Sequence, residues 1–187
     1  MKPINYNVWI EVEKTHNDTV MMGDKKLFLD TRFDPEFTAR QYGIVCGVSD
    51  KIKDIKVGDK VHTHHFMATD VHRVKFIKDK LVYQVDKSMI YCTIRDGNIN
   101  MLDNWVFVEQ SIESEDDCKT DSGIWFKTNP DEIRYFGKLK YINSELKKQG
   151  AKVGDQIIFS ENSEYHMDIE GQDLMRMRNE DVLAIYG

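Results

Sequence analysis

Residues 153–186 read VGDQIIFSENSEYHMDIEGQDLMRMRNEDVLAIY, and residues 57–94 read VGDKVHTHHFMATDVHRVKFIKDKLVYQVDKSMIYCTI. Both open on Val-Gly-Asp, enter a short apolar run, cross a polar stretch and end on two further apolar runs. Glycine permits positive φ in a tight turn and the following aspartate can accept backbone N–H bonds, so each segment reads as a turn reversing into a strand. The two triplets stand 96 residues apart, from Val57 to Val153. Val12-Glu13 in NVWIEVE matches Val108-Glu109 in NWVFVEQ at 96, Leu27 in KLFLD matches Ile124 in GIWFK at 97, and Tyr42-Gly43 matches Phe136-Gly137 at 94. Landmarks in one order at nearly one spacing mark an internal repeat. The chain reads as two copies of one domain, residues 1–97 and 103–187, joined by the short polar RDGNINMLD around Asp96 to Asp103.

Each copy is expected to be all-β. NVWIEVE alternates Val8, Ile10 and Val12 against Trp9, Glu11 and Glu13, the period of a strand with one covered face. YGIVCGV, WVFVE, FGKLKYI, DQIIFS, DLMRMR and DVLAIYG are similarly short and are separated by Gly, Asp, Asn or Ser. NSELKKQGAKVGD alone carries a helical turn, ended by Gly150. Many short strands at close spacing predict a small sandwich or partly open barrel per copy.

With 187 residues, 41% of them hydrophobic, and 3 Pro, the chain can bury a core. The formal charge of -6, from 32 acidic and 26 basic residues spread along the length, argues against a nucleic-acid or anionic-membrane partner. No run approaches the roughly 18 to 20 apolar residues of a membrane span, and MKPINYNVWIEVEK has no uninterrupted apolar segment of the signal-peptide kind. A soluble, cytoplasmic protein is expected. Cys46, Cys92 and Cys118 are far apart with no CxxC pair, which fits reduced thiols, and Cys46 and Cys92 sit in apolar runs as core fillers.

The segments NWVFVEQ, SGIWFK, AKVGDQIIF and NEDVLAIYG, with NVWIEVE, KKLFLD, YGIVCGV, IKVGDKV and KSMIYCTI in the first copy, resemble the GroES-like co-chaperonins, the chaperonin 10 family. The resemblance is stronger over 104–187 than over 6–95 and implies two GroES-like small β-barrel domains in tandem. It further implies a ring-like homo-oligomer that caps a GroEL-type chaperonin through mobile loops and assists protein folding. Nucleotide would be bound by the partner chaperonin, so the chain itself would need no cofactor. By position, the docking tripeptides implied are Leu27, Phe28 and Leu29 in the first copy and Ile124, Trp125 and Phe126, preceded by Gly123, in the second. KTDSGIWFKTNPDE sets its large apolar residues in a polar stretch, after the acidic SIESEDDCKT, as a loop ordered only on binding would. The residues alone also allow both triplets to be ordinary buried strands.

Several features depart from the family pattern. FDPEF, with Phe33 and Phe37, follows the first triplet and can share its docking role. FSENSEYHMDIEG and HHFMATDVHR lack glycine at the place expected for the roof hairpins, and Trp125 and Phe126 are bulkier than the family's usual aliphatic residues. Two domains per chain do not fill a sevenfold chaperonin evenly. The alternatives are an assembly or binding protein, viral or accessory, that forms oligomers without capping, and a metal-dependent protein on His62, His64, His65 and His72. There His62 and His64 would share a strand face with His72 across a hairpin. The sequence has no GxGxxG, GxxxxGK[ST], GxSxG or HExxH, and it reads as a non-enzyme.

Overall fold

The Val-Gly-Asp turns form as the sequence predicts, and they form identically. Gly58 and Gly154 have φ of +94° and +97°. Asp59 Oδ2 accepts from Lys56 N at 2.8 Å, and Asp155 Oδ2 accepts from Lys152 N at 2.8 Å. On the neighbouring strand Val45 N donates to Asp59 O and Leu139 N to Asp155 O, each at 2.9 Å. The turns lie in a computed structural model that describes residues 1–22, 24–30, 38–77, 79–111, 135–163 and 165–186.

The chain divides into two units, Met1–Leu102 and Asp103–Gly187. The first contains β1 (Asn7–Val12), the paired β2 (Thr19–Met22) and β3 (Lys25–Phe28), β4 (Tyr42–Val48), β5 (Lys60–Thr63), β6 (Leu81–Asp86), β7 (Ile90–Arg95) and β8 (Asn98–Met101). The second contains β9 (Trp105–Gln110), β10 (Phe136–Tyr141), the helical turn α1 (Ser144–Lys148), β11 (Gln156–Phe159), β12 (Tyr165–Ile169), β13 (Gln172–Arg178) and β14 (Val182–Tyr186). Asn143 caps α1 through its side-chain oxygen, which accepts from Glu145 N and Leu146 N.

Each unit contains a six-stranded antiparallel sheet, with orders β6-β1-β4-β5-β7-β8 and β12-β13-β9-β10-β11-β14, and β2-β3 form a separate two-stranded sheet in the first. Five strands correspond one to one: β6-β1-β4-β5-β7 repeats as β13-β9-β10-β11-β14. The irregularities repeat too. The β1–β4 register slips between Trp9 and Ile10 opposite Gly47 and Val45, and the β9–β10 register slips between Tyr141 and Leu139 opposite Phe107 and Val108. A second slip lies between His62 and Thr63 on β5 and between Ile158 and Phe159 on β11. Among the described residues, each hydrogen-bonded order runs from one edge strand to another without closing into a barrel.

This register corrects one sequence match. Glu11 lies opposite Ile44 as Glu109 lies opposite Lys138, so Ile10-Glu11, not Val12-Glu13, corresponds to Val108-Glu109. A two-residue error keeps every side chain on its proper face, so alternation alone could not detect it. The match of Gly43 with Gly137 stands on close packing. A Cβ on Gly43 would meet Glu11 O and Ile10 Cγ2 at 2.6 Å, and one on Gly137 would meet Val108 Cγ1 and Glu109 O.

The alternation of β1 is realised: Val8, Ile10 and Val12 join Val45, Val61 and Val85 in the first core. Trp9 points the other way, against Val74 and Val82. The second core gathers Val106, Val108, Leu139, Ile157, Phe159 and Met175. Two loops differ from the sequence reading. The β12–β13 hairpin turns on Glu170 and Gly171, with φ of 53° and 81°, so glycine is present at that turn. In the first unit the matching place beside β6 is taken by an irregular segment, where Arg73 bridges Tyr83 and Gln84 N donates to His72 O. The polar linker is also more than a connector. Asp96 and Gly97 both have positive φ, as a two-residue type I′ turn requires, and residues 98–101 fold back on β7 as β8.

Candidate functional site

The segment between β1 and β4 leaves the sheet as a ribbon. Its base is tied by Arg40 N donating to Thr15 O at 2.9 Å, Asn17 N donating to Thr38 O at 2.6 Å, and an isolated His16–Ala39 bridge. Arg40 is buried there. Its guanidinium donates to Glu13 Oε2 at 3.0 Å and to the Tyr42 hydroxyl at 2.6 Å, and it lies 4.4 Å from the Tyr42 ring centroid. No sequence motif marks this clamp, because its partners come from both arms of the ribbon.

Beyond the clamp the ribbon becomes the β2–β3 hairpin, with Thr19 opposite Phe28 and Val20 opposite Leu27. Leu29 N donates to Asp18 O at 2.8 Å and continues the ladder. Lys14 pairs with Asp18, and that hydrogen bond holds the Asp18 carboxyl below the usual carboxylate range. The three sequence-selected residues are therefore adjacent on one short strand that stands outside the core. Leu27, Phe28 and Leu29 are 41%, 81% and 37% exposed, and the Lys26 ammonium lies 5.9 Å from the Phe28 ring centroid. Such a ribbon presents apolar area without hiding it. Phe33 and Phe37 lie outside the described residues.

In the second unit the corresponding segment runs from the end of β9 to Phe136, where Ser111 N donates to Phe136 O at 3.4 Å. Gly123, Ile124, Trp125 and Phe126 fall within 112–134, outside the described residues.

The histidines do not converge. The slip after His62 breaks the alternation that was to align it with His64. His62 is buried beside Tyr42, with ring centroids 5.7 Å apart, whereas His64 stacks on His65 at 4.1 Å and His72 Nδ1 meets Thr69 Oγ1 at 3.2 Å. Among the described residues no group of three or more His, Cys, Asp or Glu is placed to hold a metal ion.

Comparison with known proteins bears on the second unit first. The family model described as Chaperonin 10 Kd subunit matches residues 98–186. The Co-chaperonin GroES of Wolinella succinogenes is 33% identical over 88 residues, which cover 46% of this chain and 96% of that protein. The chain belongs to the chaperonin 10 family. Membership supports a co-chaperonin role, and it rests on residues that include β8 and 103–186 of the second unit. Residues 1–97 of this chaperonin 10 protein lie outside the matched stretch, and their unit shares the order of five strands, both register slips and the turn chemistry of the second. No helix among the described residues is long and apolar enough to cross a membrane.

Proposed function

We propose that this chain is a tandem co-chaperonin that caps the chamber of a GroEL-type chaperonin and assists protein folding without chemistry of its own. The observation that carries the reading is the exposed Leu27-Phe28-Leu29 strand, held out by the Arg40 clamp at the loop position of a chaperonin 10-type sheet. In this reading the triplet docks in an apolar groove of the chaperonin, and Ile124, Trp125 and Phe126 after Gly123 do the same from the second domain. Nucleotide acts through the chaperonin.

Ordering a backbone residue costs about 1–2 kcal/mol, so one loop binds weakly. The first loop meets less of that cost, because β2 and β3 are already paired. Several loops on one assembly convert weak contacts into a firm cap through effective concentration.

The test is size-exclusion chromatography of the protein mixed with its cognate GroEL-type chaperonin, with and without ADP. The expected result is co-elution that needs ADP and is lost when Trp125, Phe126, Leu27 and Phe28 are all replaced by Ser. Failure to co-elute, where an ordinary co-chaperonin binds, would overturn the capping reading and favour an assembly protein of the same fold.

A further inference from the structure

The repeat shows what is missing from one face of the first unit. Residues directly opposite one another across an antiparallel pair share a face. On the face turned away from the Val8 and Ile10 core, β1 and β6 set Asn7 opposite Asp86 and Trp9 opposite Gln84. The shared register matches these pairs with Trp105 opposite Arg178 and Phe107 opposite Arg176 in the second unit. There the face is filled. Trp105 is 8% exposed, and the guanidiniums of Arg176 and Arg178 lie 5.2 and 5.1 Å from its ring centroid.

The first unit has Asn7, Gln84 and Asp86 instead of an indole and two guanidiniums, and these three residues line an open cavity of about 400 Å³. Its wall is the irregular segment that stands where β12 stands in the second unit. Val74 N donates to Val82 O and Gln84 N to His72 O, which holds residues 72–74 along β6. Val71 and Phe76 of this segment are 89% and 56% exposed at the cavity, and Met89 lines it from just beyond β6. Floor and wall are braced together: Phe76 meets the Trp9 ring edge-on with centroids 5.6 Å apart, and Trp9 Nε1 donates to Gln84 Oε1 at 2.9 Å.

The charges of the lining select the guest. Asp86 puts a carboxylate on the floor, its Oδ1 accepting from Ser88 N at 2.9 Å and from Ser88 Oγ at 2.7 Å. Lys75 and Arg73 line the cavity as well, with the Arg73 guanidinium engaged by Lys80 O at 3.0 Å and by the Tyr83 ring at 5.6 Å. An anionic guest is opposed by Asp86 and a cationic one by Lys75. A neutral aromatic ring with an N–H donor is opposed by neither. Its N–H finds a charged acceptor, its ring face attracts an ammonium, and its apolar area is covered by Val71, Phe76 and Met89. We propose that this cavity binds an indole group, so that a guest refills the volume that Trp105 fills covalently in the second unit. A small indole compound and the tryptophan side chain of a polypeptide carry the same group. The site is separate from the β2–β3 ribbon, and the proposal does not depend on chaperonin binding.

An amide NMR titration of the isotope-labelled full chain, without chaperonin, with indole and with N-acetyl-tryptophanamide tests it. The expected result is saturable shifts of the Trp9 ring N–H and of the Asn7 and Gln84 side-chain amides, with a Kd on the order of a millimolar for so small a guest in an open site. Binding of N-acetyl-tryptophanamide about tenfold weaker than that of indole assigns the small compound as guest, and comparable or tighter binding assigns the polypeptide side chain. Benzofuran, which has oxygen in place of the ring N–H, should bind about tenfold more weakly than indole, the loss expected when a hydrogen bond to a charged acceptor is removed. Asn7→Trp, which puts the second unit's own residue in the cavity, should abolish the Trp9 shift with circular dichroism unchanged. Phe76→Ser, at an exposed position, should weaken binding in a chain as stable as the wild type. Absence of saturable shifts at Trp9, Asn7 and Gln84 with both probes, benzofuran binding as tight as that of indole, or unchanged affinity in Phe76→Ser would overturn the proposal.

Discussion

At the scale of single residues, Gly43 and Gly137 show how little room the repeated sheet leaves. A methyl group on Gly43 would press into the Glu11 carbonyl and Ile10, so Gly43→Ala should cost about 1–3 kcal/mol as overpacking, read as a lower urea midpoint. Asp59 adds a pH dependence to the first unit. Arg95 donates to its two carboxylate oxygens at 2.8 and 2.7 Å, and this bond, more than the Lys56 N–H, holds the buried carboxyl below the usual range against the opposing effect of burial. A carboxyl depressed in the folded state stabilises fully above its unfolded pKa of roughly 4 and loses that contribution as pH falls through the lower folded value. Arg95→Gln should therefore lower the urea midpoint at pH 7, and its difference from the wild type should narrow as pH drops below about 4. A difference constant from pH 7 to pH 3 would refute this account.

At the scale of elements, the β2–β3 ribbon makes a separable prediction. Phe28 and Leu27 project outside the core, so replacing both by Ser should leave the unfolding midpoint within about 0.5 kcal/mol of wild type. Burying one such side chain in a groove is worth roughly 1.5–3 kcal/mol, so the same change should weaken chaperonin binding more than tenfold, measured by titration with ADP present. Loss of stability with unchanged binding would make the strand structural. The sequence announced some of these elements and hid others for one reason, the range of the interactions that set them. The Val-Gly-Asp turn is fixed within four residues, by Gly58 φ and the Lys56–Asp59 bond, and it was readable. The strands were readable from alternation. The register of β1 against β4 depends on pairing across 33 residues at Glu11–Ile44 and 40 at Val8–Val48, and there the reading slipped by two. The Arg40 clamp, which draws on Glu13 and Tyr42, left no local trace. The β7–β8 hairpin did leave one, since Asp96-Gly97 between TIR and NINM is the commonest kind of two-residue turn signal, and reading it only as a linker obscured β8.

At the scale of the whole molecule, the repeat turns one chain into its own control. Leu102 and Ile4 occupy matching places, each just before a residue of positive φ, Asp103 and Asn5, one against the core of the first unit and one exposed, so truncating each asks the same question in two states of cover. Leu102→Ala should cost the first unit about 2–5 kcal/mol, the range for a buried leucine. Ile4→Ala should leave the unfolding midpoint within about 0.5 kcal/mol of wild type, as truncation of an exposed side chain does. Urea unfolding of both variants separates the cases. An Ile4→Ala deficit as large as that of Leu102→Ala would show that the first unit buries the side chain before β1 as it buries the one after β8, and that the matching places are covered alike.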